Sequence, residues 1–251
     1  MSRRPARIPG LFVVGTDTGV GKTTVSCGLL RLARRAHFRL IPHKPIETGC
    51  SPRPEDADRL RVAAAIPDLR LSGQRGICGM ALQAPLAPSI AARLEGRRIS
   101  LPTLLAHARR LARLGDGLLV EGAGGLLAPF GPGITAADLA SHLDIDILLV
   151  AANRLGTINH TALAVGELRR RGLRLAGIVL VDLASKPTPD RPYNAHEIAR
   201  VTGVRPLGVL RHCPSCTPDR LADATAADLD LTGLCDGRLV PPARAMRAGP
   251  R

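Results

Sequence analysis

The chain has 251 residues, a formal net charge of +14 at pH 7 and a 45% share of hydrophobic residues. That apolar share is enough to bury a sizeable core, so bulk disorder is excluded. The sequence has no run of about 18 apolar residues that could cross a membrane, and its N-terminus lacks the apolar stretch of a signal peptide, so we expect a cytoplasmic location.

Short apolar runs alternate with segments of helical periodicity. The first run, residues 11–15, ends in glycine and is followed by helical periodicity over residues 21–37. Alternation of this kind predicts an α/β fold, a single domain with a mostly parallel sheet flanked by helices, which we expect over residues 10–225. Residues 226–251 are expected to form a C-terminal segment with a frayed end. A second strand is expected to end near residue 43, further strands are predicted at 117–120, 146–152, 175–181 and 206–210, and further helices at 87–95, 101–114, 135–143, 158–171 and 194–202.

The strongest motif, Gly-Thr-Asp-Thr-Gly-Val-Gly-Lys-Thr-Thr at residues 15–24, joins the first strand to the first helix. Its glycines let backbone N–H groups face a phosphate, and the helix points its positive end at the same place. Lys22 would reach the outer phosphates, and the hydroxyl of Thr23 would hold Mg²⁺. The usual first glycine of this motif falls at Thr16 and is displaced here to Gly15. The strand before and the helix after favour a P-loop NTPase-like site over an ordinary glycine turn.

A second motif, His-Lys-Pro-Ile-Glu-Thr-Gly at residues 43–49, is expected where the second strand ends. The carboxyl ends of parallel strands form the ligand crevice of such sheets, so Lys44 would face the phosphates from the opposite wall. A surface lysine in a proline turn is the alternative. Because the chain has only Lys22, Lys44 and Lys186, the scarcity of lysine favours a function for Lys44.

Two further segments follow predicted strands. Val-Glu-Gly-Ala-Gly-Gly at residues 120–125 places Glu121 where this class of enzyme has a second Mg²⁺ support, although a tight turn that happens to carry an acid is the alternative. Leu-Gly-Thr-Ile-Asn-His-Thr at residues 155–161 opens a helix, whose N-terminus can bind a carboxylate. A plain helix cap by Thr157 or Asn159 is the alternative.

These four motifs, in this order and spacing, resemble the dethiobiotin synthetase family over about residues 10–225. The resemblance implies an ATP-dependent ligase that joins CO₂ to 7,8-diaminononanoate and closes a ureido ring, giving dethiobiotin, ADP and phosphate. It implies that an amine captures CO₂ as a carbamate, that a carbamate oxygen attacks the γ-phosphorus, and that the second amine then expels phosphate. It also implies Mg²⁺ as cofactor, a homodimer, and no nucleic-acid or membrane partner.

The resemblance further implies roles for individual residues. Lys22 and Lys44 match the catalytic lysines. The positions that match Mg²⁺ ligands are Thr23, Glu121 and Asp56, with Asp58 as the alternative to Asp56. The positions assigned to substrate are Thr18, Thr48, Gly124 and, from the partner subunit, Asn159. The positions assigned to ATP are Gly19, Val20, Gly21, Lys22, Thr23, Thr24, Glu121, Gly122, Ala123, Gly124, Asp182, Arg211 and His212.

The chain departs from the family pattern on the side that would hold the nucleotide base. Where the family often has an asparagine that holds adenine, this chain has Val181, followed by Asp182. Where the family often has proline after the last strand, this chain has Arg211 and His212. We therefore expect relaxed selectivity among ATP, GTP and CTP.

The positive net charge leaves one alternative of a different class, a partition-type P-loop ATPase that binds DNA nonspecifically. Such proteins typically carry a second lysine ahead of the loop lysine, at the place where this chain has Asp17. The arginines are scattered rather than gathered in one block, and only 2% of the residues are aromatic, which leaves few rings to stack on bases. A cobalamin-precursor amide ligase, the other alternative, usually carries an added glutaminase domain.

The six cysteines do not form an evident framework for disulfides or metal. Cys213 and Cys216 have the spacing of half a zinc site, but no second pair follows and Cys235 stands alone. We interpret the spacing as incidental.

Overall fold

The computed structural model describes residues 8–71, 76–214 and 216–234. The strands are β1 (Gly10–Gly15), β2 (Leu40–Glu47), β3 (Cys78–Ala81), β4 (Gly117–Gly125), β5 (Pro129–Gly131), β6 (Ile134–Thr135), β7 (Asp146–Ala152), β8 (Leu175–Val181) and β9 (Gly208–Leu210). The helices are α1 (Lys22–Arg35), α2 (Glu55–Ala64), α3 (Pro88–Leu94), α4 (Leu101–Ala112), α5 (Ala136–Leu143), α6 (Thr157–Arg170), α7 (Arg191–Thr202) and α8 (Pro218–Asp228).

Seven strands form one sheet in the order β3-β2-β4-β1-β7-β8-β9, and every neighbouring pair is parallel. The remaining two strands, β5 and β6, form a small antiparallel ribbon. The α/β class predicted from the sequence is therefore confirmed. The order brings the carboxyl ends of β1, β2 and β4 together, which is the edge where parallel sheets bind ligands.

The central strand β1 is buried at every residue, as its continuous apolar run predicts for a strand covered on both faces. Helix α1 buries Val25, Leu29 and Leu32. Its last turn carries Arg34 and Arg35, which complement the negative end of the helix dipole. Burial of apolar surface at about 25 cal/mol per Å² holds such layers together. The loops at the carboxyl edge are therefore attached to a buried sheet that is packed against its helices.

The structure contains elements that the sequence pattern did not predict: α2, β3, the β5–β6 ribbon and α8. Helix α2 buries only alanines and Leu60, so its apolar face gives a weak periodic signal. Strand β3 has four residues, too few for a clear alternation. The second strand also extends to Glu47, so Lys44 lies within β2 rather than after its end.

Helix α8 packs against α1 and crosses the predicted domain boundary at residue 225. Gly28 lies at the contact, because a Cβ there would be 2.0 Å from the hydroxyl oxygen of Thr225. The domain boundary itself stays a prediction, and the end predicted to fray lies outside the described residues.

The described cysteines fall into two groups. Cys27, Cys50 and Cys78 are buried free thiols. The sulfur atoms of Cys213 and Cys216 are paired, and their Cα atoms are 5.7 Å apart. Cys235 lies outside the described part of the chain. Among the helices of the described ranges, none combines the length and the apolar character needed to cross a bilayer.

Candidate active site

A cavity of about 450 Å³ opens at the carboxyl edge of the sheet. The glycine-rich loop, the end of β2, the first turns of α2 and the end of β4 surround it. Its lining residues are Thr18, Gly19, Gly21, Lys22, Thr23, Thr24, Lys44, Glu47, Thr48, Asp56, Arg59, Ala123, Gly124 and Leu183.

The glycine-rich loop wraps back so that its lysine meets its own backbone. The Nζ atom of Lys22 donates to the carbonyl oxygen of Asp17 at 2.9 Å. Gly15 is required at its position, because a Cβ there would lie 2.5 Å from that oxygen and 2.9 Å from Nζ of Lys22. Gly21, the N-cap of α1, has φ +95°, a left-handed conformation that glycine adopts at little cost. The displaced first glycine thus has a steric reason.

The ammonium of Lys22 is buried beside a second cation. Burial, and after it the nearby ammonium of Lys44, lower the pKa of Lys22 to about 8. A phosphate group at this loop would favour the charged form again, because an opposite charge a few ångströms away stabilises it. The loop is therefore built to accept an anion.

Lys44, on β2, is the centre of a buried charge cluster. Its Nζ lies 2.5 Å from Oε1 of Glu121 and 2.8 Å from Oδ2 of Asp56. Oε1 of Glu121 also accepts a hydrogen bond of 2.9 Å from the hydroxyl of Thr23. Burial lowers the pKa of Lys44, but the two carboxylates outweigh it and raise the pKa above its ordinary value. Lys44 is therefore held as a cation.

Glu121, at the end of the apolar part of β4, is completely buried. Its second oxygen, Oε2, is buried and has no hydrogen-bond partner among the described residues. An unpaired carboxylate oxygen in the interior costs free energy unless a cation or donor meets it. The tight-turn alternative does not explain why this acid faces Thr23 and Lys44.

The acidic segment contributes Asp56 and not Asp58 to this cluster. The ammonium of Lys44 holds the pKa of Asp56 below its usual range, although burial alone would raise it. Asp58 points to arginines instead, 2.7 Å from Nη2 of Arg61 and 3.8 Å from Nη2 of Arg53. Of the two predicted candidates, Asp56 is the one near Thr23 and Glu121.

Three residues that line the cavity were not predicted from the sequence motifs: Glu47, Arg59 and Leu183. Glu47 ends β2 and accepts hydrogen bonds from the first turn of α2, and Arg59 follows Asp56 by one turn of that helix. Glu47 belongs to the motif at residues 43–49, but the sequence does not show which way its side chain points. Arg59 belongs to a helix that was not predicted.

Several residues predicted for ATP or substrate do not line the cavity. Val20, Glu121 and Gly122 are buried and are not among the lining residues. Asp182 accepts a hydrogen bond of 2.9 Å from Nδ2 of Asn153. Arg211 donates to Oδ1 of Asp228 at 2.8 Å, and His212 beside it is exposed.

Val181 packs against the glycine-rich loop. A Cβ at Gly21 would lie 2.8 Å from Cγ1 of Val181, so this apolar side chain fills the space beside the loop. Leu183, two residues later, lines the cavity. The end of β8 thus presents apolar surface at the position where the family pattern has an amide.

Helix α6 begins with Gly156 as its N-cap, at φ +91°, and no side chain caps it. The alternative of a cap by Thr157 or Asn159 is therefore wrong. Asn159 is exposed and lies outside the cavity of its own subunit.

The chain is similar over most of its length to one family model and to curated proteins. The AAA domain family model matches residues 9–220. The ATP-dependent dethiobiotin synthetase BioD of Anaeromyxobacter sp. (strain Fw109-5) is 49% identical over 205 residues, which are 81% of this chain and 90% of that protein. The protein of the same name from Bacillus subtilis (strain 168) is 33% identical over 225 residues, 89% of this chain and 96% of that protein.

Two solved structures share the fold at low identity. A ParA family ATPase from Chlorobium tepidum TLS has a TM-score of 0.51 at 10% identity, covering 92% of this chain and 97% of that one. A MinC:MinD cell division protein complex from Aquifex aeolicus has a TM-score of 0.52 at 12% identity, covering 86% of this chain and 85% of that one. These likenesses concern the fold alone.

Proposed function

Because the chain belongs to the family of ATP-dependent dethiobiotin synthetases, we propose that the cavity at the carboxyl edge of its sheet is where it forms dethiobiotin from 7,8-diaminononanoate, CO₂ and ATP. One observation carries the assignment of the site. The phosphate-loop lysine, a second buried lysine and Asp56 line this one cavity, and the ammonium of Lys44 contacts both Asp56 and the buried Glu121.

The proposed reaction has three bond-forming steps. One amine of the substrate attacks CO₂ and loses a proton, giving a carbamate. A carbamate oxygen attacks the γ-phosphorus of ATP, and ADP leaves. The second amine attacks the carbon of the resulting carbamic–phosphoric anhydride, phosphate leaves with its bridging oxygen, and the ureido ring closes.

The chain's part in these steps is to orient reactants and neutralise charge. Lys22 would hold the outer phosphates, and Lys44 would stabilise the carbamate and the transferring phosphoryl group. Phosphoryl transfer gains most from such preorganised charge, since it needs little covalent help from the protein. The carboxylates around Lys44 keep its ammonium charged and oriented.

The residues around Thr23 fit a Mg²⁺ ion. Thr23, Asp56 and Glu121 offer hard oxygen atoms, and Oε2 of Glu121 is buried without a partner. Mg²⁺ is typically held by one or two carboxylates together with substrate phosphates. Among the described residues, no group of three or more histidines, cysteines and acids is arranged to hold a metal ion by itself. When bound, the ion would neutralise charge on the β- and γ-phosphates.

We propose a homodimer in which Asn159 serves the neighbouring subunit's cavity. Asn159 is exposed in the first turn of α6, and Leu155 just before that helix is 85% exposed. An apolar side chain and a helix N-terminus on one surface suit contact with a second copy and with a carboxylate there.

We also propose relaxed selectivity for the nucleotide base. The side chain of Val181 has no hydrogen-bonding group, and the guanidinium of Arg211 is engaged by Asp228. Values of kcat/KM for ATP, GTP and CTP are expected to differ by much less than a thousandfold. A preference for ATP above that level would defeat the proposal.

Oxygen labelling tests the proposed route. With ¹⁸O-labelled bicarbonate and short reaction times, one labelled oxygen is expected in the released phosphate, because the bridging oxygen of the anhydride comes from CO₂. Unlabelled phosphate alongside labelled dethiobiotin would contradict attack by a carbamate oxygen.

A further inference from the structure

Glu47 links the strand that carries Lys44 to the helix that carries Asp56. Its side chain is only 6% exposed although it borders the cavity. Oε1 accepts the backbone N–H of Asp56 at 2.8 Å, and Oε2 accepts that of Ala57 at 2.9 Å. Both carboxylate oxygens are thus committed to the first turn of α2.

Helix α2 lacks a cap of its own. The first amides of any helix have no carbonyl partner within the helix, and a side chain at the N-cap usually satisfies them. Here the N-cap is Pro54, which provides no such bond. The carboxylate of Glu47 takes that place from a different element, and its negative charge meets the positive end of the helix.

We propose that Glu47 is a positioning residue that fixes α2 on β2, so that the carboxylate of Asp56 meets the ammonium of Lys44. The proposal rests on the function proposed above for Lys44 and Asp56. Glu47 follows Lys44 by three residues on β2, and Asp56 is itself one of the two residues whose N–H groups Glu47 binds. The distance of 2.8 Å between Nζ of Lys44 and Oδ2 of Asp56 therefore depends on this link.

Substitution of Glu47 tests the proposal in the full-length enzyme. Glu47→Ala is expected to lower kcat by about 10²-fold, because small displacements of reacting groups cost rates of that order. KM for ATP should change by less than about threefold. The phosphate loop joins β1 to α1, whereas Glu47 links β2 to α2. Glu47→Gln keeps one carbonyl oxygen as acceptor but places an NH₂ group against the other N–H, so it should recover only part of the lost rate.

Glu95 provides a matched control. Its Oε1 accepts the backbone N–H groups of Gln83 at 2.7 Å and Ala84 at 3.2 Å, and Glu95 does not line the cavity. Glu95→Ala therefore removes a similar pair of bonds and should lower thermal stability, but kcat should remain that of the wild type.

Amide hydrogen exchange gives a readout independent of turnover. The N–H groups of Asp56 and Ala57 should exchange faster in Glu47→Ala and at the wild-type rate in Glu95→Ala. Wild-type kcat in Glu47→Ala, an equal loss of kcat in Glu95→Ala, or unchanged exchange at Asp56 and Ala57 would each overturn the proposal. Absence of dethiobiotin from the wild-type reaction would instead refute the proposed function. The exchange data would still test whether Glu47 holds the first turn of α2.

Discussion

At the scale of single residues, Lys44 is the side chain whose chemistry is most constrained. Its ammonium touches one carboxylate on β4 and another on α2. The space is set for a compact tetrahedral cation, and a planar guanidinium directs its donors differently. The identity of this residue, and not only its charge, is therefore expected to matter.

We predict that Lys44→Arg lowers kcat by about 10²-fold or more, because the wider group misplaces the charge. The Kd for ATP should be nearly unchanged, since Lys22 and its loop are untouched. Steady-state kinetics and calorimetry measure the two quantities. Lys186→Arg, at an exposed position, is the matched control. Wild-type turnover in Lys44→Arg would remove Lys44 from the mechanism.

Part of the candidate site could be predicted from the sequence. Lys22, Thr23, Lys44 and Glu121 lie together, because each of their motifs overlaps or follows the carboxyl end of a strand in one parallel sheet. Choosing Asp56 over Asp58 required the structure, since only the orientation of α2 separates them. The part played by Glu47 depends on a bond between distant elements, which no local pattern encodes.

At the scale of elements, the contact between α1 and α8 depends on one glycine. Glycine within a helix normally costs about 0.5–1 kcal/mol relative to alanine. At Gly28 the close approach of Thr225 reverses that preference, because the hydroxyl of Thr225 is also bonded to the carbonyl oxygen of Leu221 at 2.7 Å. The sequence could not show this, since α8 gave no clear periodic signal.

We predict that Gly28→Ala lowers the free energy of unfolding by roughly 1–3 kcal/mol through overpacking. Gly166→Ala, in α6, is the control: a Cβ there meets nothing within 4 Å, so a gain of about 0.5–1 kcal/mol is expected. Denaturant titration measures both. Adding Thr225→Ala to Gly28→Ala should recover part of the loss, and a stabilised Gly28→Ala protein would show that the two helices are not in close contact.

At the scale of the whole molecule, the positive charge is dispersed, and part of it is engaged in local ion pairs on the surface. Arg35 contacts Asp219 and Asp223, and Arg174 contacts Asp144. Dispersed and paired charge favours a solvated surface over a nucleic-acid patch. The likeness to a ParA family ATPase concerns the fold, and Asp17, where a partition ATPase would carry its second lysine, is exposed.

His43 and His107 form a buried pair, through which we expect the stability of the protein to depend on pH. Nε2 of His107 lies 2.7 Å from the carbonyl oxygen of Gly76, so that nitrogen donates. The lowered pKa values of both rings favour their neutral forms, in which Nδ1 of His107 accepts from Nε2 of His43 at 3.3 Å. Burial is the main cause that lowers the pKa of each ring, and that of His43 falls well below 6.5.

We predict that the free energy of unfolding falls as pH drops below 6.5. The two histidines bind protons in the unfolded chain at this pH, whereas their rings stay neutral in the folded protein. A histidine ring that stays neutral over this range contributes a loss of about 1.5 kcal/mol between pH 6.5 and 5, because the unfolded ring is already half protonated at pH 6.5. Denaturant titrations at several pH values measure the slope. His43→Asn should reduce that slope, whereas His196→Asn, at an exposed site, should leave it unchanged. A wild-type slope of zero in this window would contradict the prediction.

The most direct test of the account measures ADP release with Mg-ATP and bicarbonate, with and without 7,8-diaminononanoate, and identifies the product by mass. We predict ADP formation that depends on the diamine, with dethiobiotin formed in equal amount. Hydrolysis of ATP that does not depend on the diamine, or no turnover at all, would contradict the assignment of the cavity as a dethiobiotin-forming site.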